Sequence, residues 1–354
     1  MPSGSAEIGD ALEFQFVGAR HYSPSLAEEV ARFLDTQDTS HPFQFPQWSF
    51  QCPYLALLRQ RGSICWVAYC GVTYPASRAL PFIRMLTVTH GPVCDDLALM
   101  EAGLARLLAE CRRRSFAYVD IAPEWEGELA EKALPLVGGN GWHAYEGSRL
   151  SLRLDLRPSP EQLLASFRAT TRYKIRRSEN AGLKVTTAHD SQTYRDFLGL
   201  YTRMAQQKQF PAADSDFLLS VFDWLATERQ RGALFVASAG KSLRGGILAI
   251  RSPLRCWYIL GATEKDGKFS AGHLLQWHAI QWAKQQGCLE YDFCGYREGM
   301  NTGPAYFKRG FCDHVVSFAA PQRCIVKANR HNLGYFVQNL RSWMRPSVSG
   351  RSSS

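Results

Sequence analysis

The segment from residue 270 to 311 constrains the fold most strongly. Its first part places apolar side chains at spacings of three and four, which is typical of an amphipathic helix, and Gly287 stands where a C-capping glycine is expected. Residues 289–293 then alternate apolar and polar side chains, which predicts a half-buried strand. A glycine-rich loop over 295–303 follows and leads to a lysine between aromatic residues. This order predicts a functional site at the end of a strand, because loops carry chemistry while rigid elements hold it in place.

The length and the order of the elements predict two domains of the α/β (α+β) class. A chain of 354 residues is too long for one ordinary core. Each half shows helices, a run of strands and then a strand–helix–strand crossover, which predicts a mixed sheet flanked by helices. We expect domains over 11–157 and 158–345, with flexible tails at 1–10 and 346–354.

Charge and cysteine usage narrow the class of protein. The net charge of +9 and the pI of about 9.1 favour anionic partners, although a solvated basic surface without a partner is an alternative. None of the ten cysteines lies in a C-x-x-C pair, which argues against a zinc ribbon and favours buried thiols in a reducing compartment. No signal peptide and no long apolar run are evident. We therefore expect a cytoplasmic protein, with peripheral association at a membrane left open.

A cluster of arginines lies within a predicted helix over 160–180. Arg168, Arg172 and Arg176 follow one another at a spacing of four, with Arg177 beside them. Arginine forks match phosphate oxygens in pairs, and like charges at this spacing are unfavourable in an isolated helix. This pattern favours an anion-binding surface over its alternative, a solvated helix face.

Lys308 is the leading catalytic candidate. It follows Tyr306 and Phe307, whose rings could desolvate the ammonium group and hold it for an oxyanion or a phosphate. A lysine that protects a strand edge from aggregation explains the same pattern equally well. Asp95, Asp96 and Asp120 are weaker candidates, since an aspartate at a helix start is more often a cap.

Three segments carry a resemblance to the FemABX peptidyltransferase family. RYKIRRSENAGLKV at 172–185, LLQWHAIQWAKQQGCLEYDFCG at 274–295 and GPAYFKRGF at 303–311 resemble segments of that family. The segments at 41–48 and 90–96 resemble weaker landmarks in its first half. Several positions depart from the pattern: Ala122 stands where an aspartate is usual, and Cys294 and Cys312 replace glycines.

The resemblance implies tandem acetyltransferase-like (GNAT-like) domains and a reaction. Such enzymes move an aminoacyl group from aminoacyl-tRNA to an amine of a peptidoglycan precursor, and no metal or other cofactor is expected. The family's phenylalanine–lysine pair corresponds to Phe307 and Lys308, with Lys308 stabilising the transition state. The arginine-rich helix corresponds in that family only to an anion-facing surface. We expect substrate-binding roles for five residues: Tyr306, Phe307, Arg172, Arg176 and Arg177.

Two other functions fit the same residues. An acyl-CoA-dependent N-acyltransferase on the same fold is the enzymatic alternative, because a fold alone does not define the donor. An RNA-binding module whose basic helix grips phosphates is the non-catalytic alternative.

Overall fold

The computed structural model describes residues 12–18, 21–48, 52–74, 83–147, 149–264, 269–299, 303–329 and 332. The chain divides into two compact units. The first comprises the described parts of Met1–Ser148 and Phe318–Ser354, and the second comprises Arg149–Ser317.

The first unit is a seven-stranded sheet with helices packed on it. Its elements are β1 (Glu13–Gly18), α1 (Pro24–Leu34), β2 (Tyr54–Gln60), β3 (Ser63–Thr73), β4 (Met85–Thr89), α2 (Leu97–Arg113), β5 (Tyr118–Ala122), α3 (Gly127–Gly139), β6 (Trp142–Ala144) and β14 (Gln322–Ile325). The strand order is β1-β2-β3-β4-β5-β14-β6. Apolar side chains of the sheet and of α2 form one core around the buried rings of Trp66 and Trp125.

The second unit is a seven-stranded sheet of the same kind. Its elements are β7 (Arg149–Asp155), α4 (Pro160–Ser166), α5 (Ala169–Asn180), β8 (Lys184–Thr187), α6 (Ser191–Lys208), α7 (Ser215–Thr227), β9 (Gly232–Ala239), β10 (Ser242–Arg251), β11 (Arg255–Thr263), α8 (Ala271–Gln285), β12 (Glu290–Asp292), α9 (Gly303–Lys308) and β13 (Val315–Phe318). The strand order is β13-β7-β12-β11-β10-β9-β8.

The mixed sheets confirm the predicted fold class. In the first unit β4 and β5 are parallel, and α2 provides the crossover between them. In the second unit β11 and β12 are parallel, with α8 as the crossover. The strand pairings described for the rest of each sheet are antiparallel. A run of strands followed by a strand–helix–strand crossover produces this arrangement, in which one parallel pair lies beside an antiparallel meander.

The structure divides the chain at a different place from the expected boundary between 157 and 158. Strand β7 precedes that boundary but pairs with β12, with Leu154 opposite Tyr291, so it belongs to the second sheet. Strand β14 lies late in the chain but pairs with β5 and β6 of the first sheet. The predicted tails at 1–10 and 346–354 lie outside the described residues.

The predicted single helix over 160–180 is two helices. Ser159 and Gln162 form the expected capping box at the start of α4. Phe167 then adopts an extended conformation (φ −67°, ψ 154°) and is buried, which ends α4. The Arg168 amide can therefore donate to the carbonyl oxygen of Gly310 at 2.9 Å, and α5 begins at the next residue. Burial of the Phe167 ring therefore interrupts the continuous helix that the sequence pattern predicts.

The aspartates considered as possible acids have structural partners. Asp96 caps α2 by accepting from the Leu99 amide at 2.9 Å. Asp120 accepts two hydrogen bonds from Arg323 of β14, at 2.6 and 2.7 Å, and the guanidinium carbon lies 4.3 Å from the Tyr118 ring centroid. This bidentate pair joins the late strand to β5.

The ten cysteines are free thiols, and six of them are buried, as expected. No helix in the described ranges is long and apolar enough to cross a membrane.

Candidate functional site

Helix α8 and strand β12 form the frame of the site. The apolar stripe of α8 is buried, including Leu274, Trp277 and Ile280, and Gly287 follows the helix with φ +83°. That conformation suits glycine and turns the chain sharply into β12. Strand β12 is the inner strand between β7 and β11, so its end is held on both sides.

Asp292, the last residue of β12, shapes the turn that follows. Its side chain is 3% exposed and accepts from the Cys294 amide at 2.7 Å and from the Ser151 hydroxyl. The Arg153 guanidinium lies 3.6 Å from its other oxygen. These contacts hold Cys294 in the left-handed region, with φ +52°.

The Lys308 side chain contacts this turn. Its ammonium group donates to the carbonyl oxygens of Cys294 and Gly295, the latter at 2.7 Å. Lys308 ends helix α9, so the alternative of a strand-edge lysine is wrong. An ammonium carries three protons, and this clamp orients the group while using two of them. The arrangement can present a positive charge and a proton to a bound ligand.

The environment of Lys308 shifts its acidity. Burial lowers the pKa of the ammonium, and electrostatic interactions with Cys294 and Asp292 oppose that change. Burial disfavours the charged form because it removes water from the ammonium. A lysine with a lowered pKa donates a proton more readily than an ordinary surface lysine.

A cavity of about 410 Å³ opens beside Phe307 in the second unit. It is lined by Met204, Lys208, Phe210, Ile247, Tyr258, Gly261, Ala262, Thr263, Gly272, Gln276, Gly303, Pro304 and Phe307. Burial raises the pKa of Tyr258 to about 12, and the Lys308 ammonium lies 5.9 Å from the centre of its ring. The volume is within the range of small-molecule sites, and most of the wall is apolar.

Gln276 adds a polar group to this wall. Its side chain is fully buried, and its carbonyl oxygen accepts from the Tyr291 hydroxyl at 2.7 Å. This bond fixes the orientation of the amide within the wall of the cavity.

Phe307 and Tyr306 have different surroundings. The Phe307 ring lines the cavity and packs on the edges of His273 and Phe311, at centroid distances of 4.8 and 5.4 Å. Burial, with the charge of Lys174, lowers the pKa of His273 to about 4, so this imidazole is neutral at pH 7. Tyr306 is 46% exposed and is not part of the cavity wall.

The arginines of α5 line a second, shallow depression, the basic hollow. Its lining consists of Ala169, Arg172, Tyr173, Arg176, Arg177, Asn180 and Ala181. Arg172 donates to the carbonyl oxygens of Ala165 (3.0 Å) and Phe167, so it also caps the end of α4. Arg176 and Arg177 are exposed, and Tyr173 is 64% exposed. The hollow thus offers arginine cations, which an anion-binding surface requires.

Sequence reasoning missed Tyr258, Gln276 and Asp292. The sequence around Asp292 could have indicated its role, because a polar residue that ends a strand before a glycine-rich loop is expected to belong to a functional site. Tyr258 and Gln276 carried none, since only the packing of α8 on β11 turns them toward one cavity.

Comparisons with known proteins relate the second unit to a described family. Residues 165–309 match a family model described as an acetyltransferase (GNAT) domain. A UDP-N-acetylmuramoylpentapeptide-lysine N(6)-alanyltransferase of Weissella viridescens is 26% identical over 192 residues, which are 53% of this chain and 55% of that protein. The matched region is thus about half of the relative's length.

Solved structures share the tandem fold. A structure described as FemX superimposes with a TM-score of 0.74 at 15% identity, covering 92% of this chain and all of that one. L-PGS from Bacillus licheniformis gives a TM-score of 0.58 at 12% identity, over 90% of this chain and 96% of that one. A tandem GNAT protein from the clavulanic acid biosynthesis pathway gives 0.52 at 12%, over 89% and 99%. Together with the sequence match, these findings confirm the FemABX resemblance.

The left-handed turn at residue 294 leads to a test. Lys308 bonds the backbone of residue 294, and a side chain in the left-handed region costs about 1–2 kcal/mol. We expect Cys294→Gly to keep the lysine clamp and, after the entropy cost of glycine, to change the free energy of unfolding by about 1 kcal/mol or less. Cys294→Ala, which retains the strain, is the matched control. Denaturant unfolding measures both, and a glycine variant much less stable than the alanine variant would contradict this account.

Proposed function

We propose that this FemABX-like chain is an aminoacyltransferase that moves an aminoacyl group from aminoacyl-tRNA to an amine of a peptidoglycan precursor. The observation that carries the proposal is the ammonium of Lys308, held by two backbone carbonyls beside a cavity that Phe307 and Tyr258 line. Such a reaction acts in the cytoplasm, where aminoacyl-tRNA is made.

The chemistry suits a site with few ionisable groups. The acceptor nitrogen attacks the ester carbonyl, a C–N bond forms, and negative charge gathers on the carbonyl oxygen. The C–O bond to the ribose then breaks, and the leaving oxygen takes up a proton while the nitrogen gives one up. Because the ester is already activated, positioning and electrostatic stabilisation can supply much of the rate, and no metal is required.

Lys308 fits the need for a charge that is already in place. Its ammonium is oriented before substrate arrives, so little reorganisation is needed when the oxyanion forms. The lowered pKa also suits proton donation to the leaving ribose oxygen.

The two substrates are both polyanions, which agrees with the net charge of +9. We assign the phosphates of the donor tRNA to the basic hollow, where Arg176 and Arg177 are exposed beside Tyr173. The name of the Weissella viridescens relative supports an acceptor of the muramoyl-pentapeptide class with a lysine amine.

An acyl-CoA donor is the competing function, because the family model that matches 165–309 is described as an acetyltransferase domain. The test incubates the purified chain and a lysine-containing UDP-muramoylpentapeptide with charged tRNA or with acyl-CoA, and measures product mass. A tRNA-dependent mass gain supports the proposal, and a CoA-dependent gain overturns the choice of donor. RNA affinity without any transfer would favour a binding module instead.

Replacement of Lys308 gives a direct prediction. We expect Lys308→Ala to lower the transfer rate on the order of a hundredfold or more, because the oxyanion loses its fixed cation. Lys284→Ala is the matched control: Lys284 also donates to two backbone carbonyls, those of Leu156 and Arg157, whereas the Lys308 ammonium lies 5.9 Å from the Tyr258 ring of the cavity wall. Single-turnover rates per folded protein measure both. Equal losses in the two variants would remove the catalytic role from Lys308.

The lowered pKa of Lys308 predicts an alkaline limb in the rate profile. The protonated form is the active one, so the rate should fall as the pH rises through a value below the ordinary pKa of lysine. Hydroxylamine serves as the acceptor, because it is uncharged above neutral pH and adds no titration of its own. Its reaction with the ester in the absence of protein is measured and subtracted at each pH. Lys308→Arg, which stays charged, should lack this limb in whatever activity remains. The same limb in that variant would assign it to another group.

The basic hollow predicts a salt-dependent effect on the donor. Arg176→Gln should raise the KM for charged tRNA and flatten its dependence on salt concentration by about one counterion, with little change in kcat. Arg195→Gln, an exposed arginine of α6 away from the hollow, is the control. An equal effect of the two substitutions would indicate that the overall positive charge of the protein attracts the tRNA, without a specific site on α5.

A further inference from the structure

The cavity beside Phe307 has a role that the proposed chemistry leaves open. Bond exchange at the ester carbonyl needs Lys308 and the acceptor nitrogen, but it does not need a cavity of about 410 Å³. The Lys308 ammonium lies 5.9 Å from the centre of the Tyr258 ring in the cavity wall. In the proposed reaction that ammonium faces the ester carbonyl, so the group bonded to this carbonyl is the part of the donor nearest to the cavity.

A glycine preserves the shape of the cavity. Residues of α6, β10, β11, α8 and α9 line it, so its described walls lie within the second unit. A Cβ at Gly261 of β11 would lie 2.7 Å from the Ile247 side chain and 2.8 Å from the Tyr258 hydroxyl. These distances are well below the optimal carbon–carbon separation of about 3.5–4.0 Å. A larger residue at 261 would therefore displace one of these two parts of the wall.

The chemistry of the wall favours an apolar occupant. Hydrocarbon surface comes from five lining residues: Met204, Phe210, Ile247, Ala262 and Pro304. Among the lining residues that the structure describes, none is acidic, and the charged one is Lys208, which is exposed. A basic group would find no counter-charge among them and would be repelled by the Lys308 ammonium. An acidic group would lose its water against apolar surface.

We infer that this cavity receives the side chain of the transferred aminoacyl group, and that the preferred donor carries a large aliphatic side chain such as that of leucine. This identity of the occupant rests on the proposed function. The single methyl group of an alanyl donor would leave most of the apolar wall in contact with water, whereas a longer aliphatic side chain would displace that water. The preference separates this chain from the Weissella viridescens relative, which is named as an alanyltransferase.

Gly272 allows the size of the cavity to be changed. It is the second residue of α8 and lines the cavity. A Cβ there would lie 3.6 Å from the Phe307 ring and 3.6 Å from the Thr263 methyl group, which are ordinary contacts. A larger residue at 272 therefore takes space from the cavity while the rest of the wall stays in place.

The test is equilibrium binding, without any acceptor, of one tRNA that carries leucine, alanine, lysine or glutamate through a non-reactive amide at its 3′ end. We expect the wild type to bind the leucyl form about tenfold or more tightly than each of the other three, because one methylene in an apolar pocket already changes selectivity by about tenfold or more. In Gly272→Val the ratio of leucyl to alanyl affinity should fall to near one, since the valine methyl groups occupy the space that the leucyl side chain needs.

Gly199→Val is the matched control. Gly199 lies within α6 and is partly buried, and a Cβ there would lie 3.4 Å from the flexible side chain of Arg203. This variant should keep the wild-type ratio. If Gly272→Val fails to fold, Gly272→Ala decides in its place, with a smaller decrease of the ratio expected.

Three results would overturn the inference. The first is a wild type that binds the alanyl, lysyl or glutamyl form as tightly as the leucyl form. The second is an equal loss of affinity for all four forms in Gly272→Val, which would assign the cavity to the terminal nucleoside of the tRNA. The third is a Gly272→Val variant that keeps the wild-type ratio. Failure of the proposed function would appear differently, as a wild type that prefers the leucyl form but transfers no aminoacyl group, or that binds none of the four forms.

Discussion

The candidate site of the second unit depends on the hydrogen bonds that the Lys308 ammonium donates to two consecutive backbone carbonyls. Carbonyls of neighbouring residues ordinarily diverge, and those of Cys294 and Gly295 reach the same Lys308 through a turn with left-handed φ at Cys294. Asp292 holds that turn through the Cys294 amide. The carbonyl dipoles offset part of the loss of water around the ammonium, which is why a partly buried lysine is tolerated there.

The same architectural position is used twice with different chemistry. Both units place a parallel strand pair beside a meander, and two residues past the second strand of that pair stand Glu124 in one unit and Cys294 in the other. The carbonyl oxygen of Cys294 accepts from the Lys308 ammonium. The Glu124 carboxylate pairs with His90. Repetition of a fold therefore provides positions, while the residues at those positions determine what each unit binds.

Short sequence patterns predicted individual elements of the fold, whereas tertiary contacts determined how the elements pair and where they end. A few neighbouring residues were enough to predict the periodicity of α8, the alternation before Asp292 and the aromatic neighbours of Lys308. The break at Phe167 was not predictable in this way, because it depends on burial of that ring and on a bond from Arg168 to Gly310. The pairing of β14 with β5 was not predictable either, because it joins residues about 200 positions apart. Pairing at such separations leaves no signal in either segment alone.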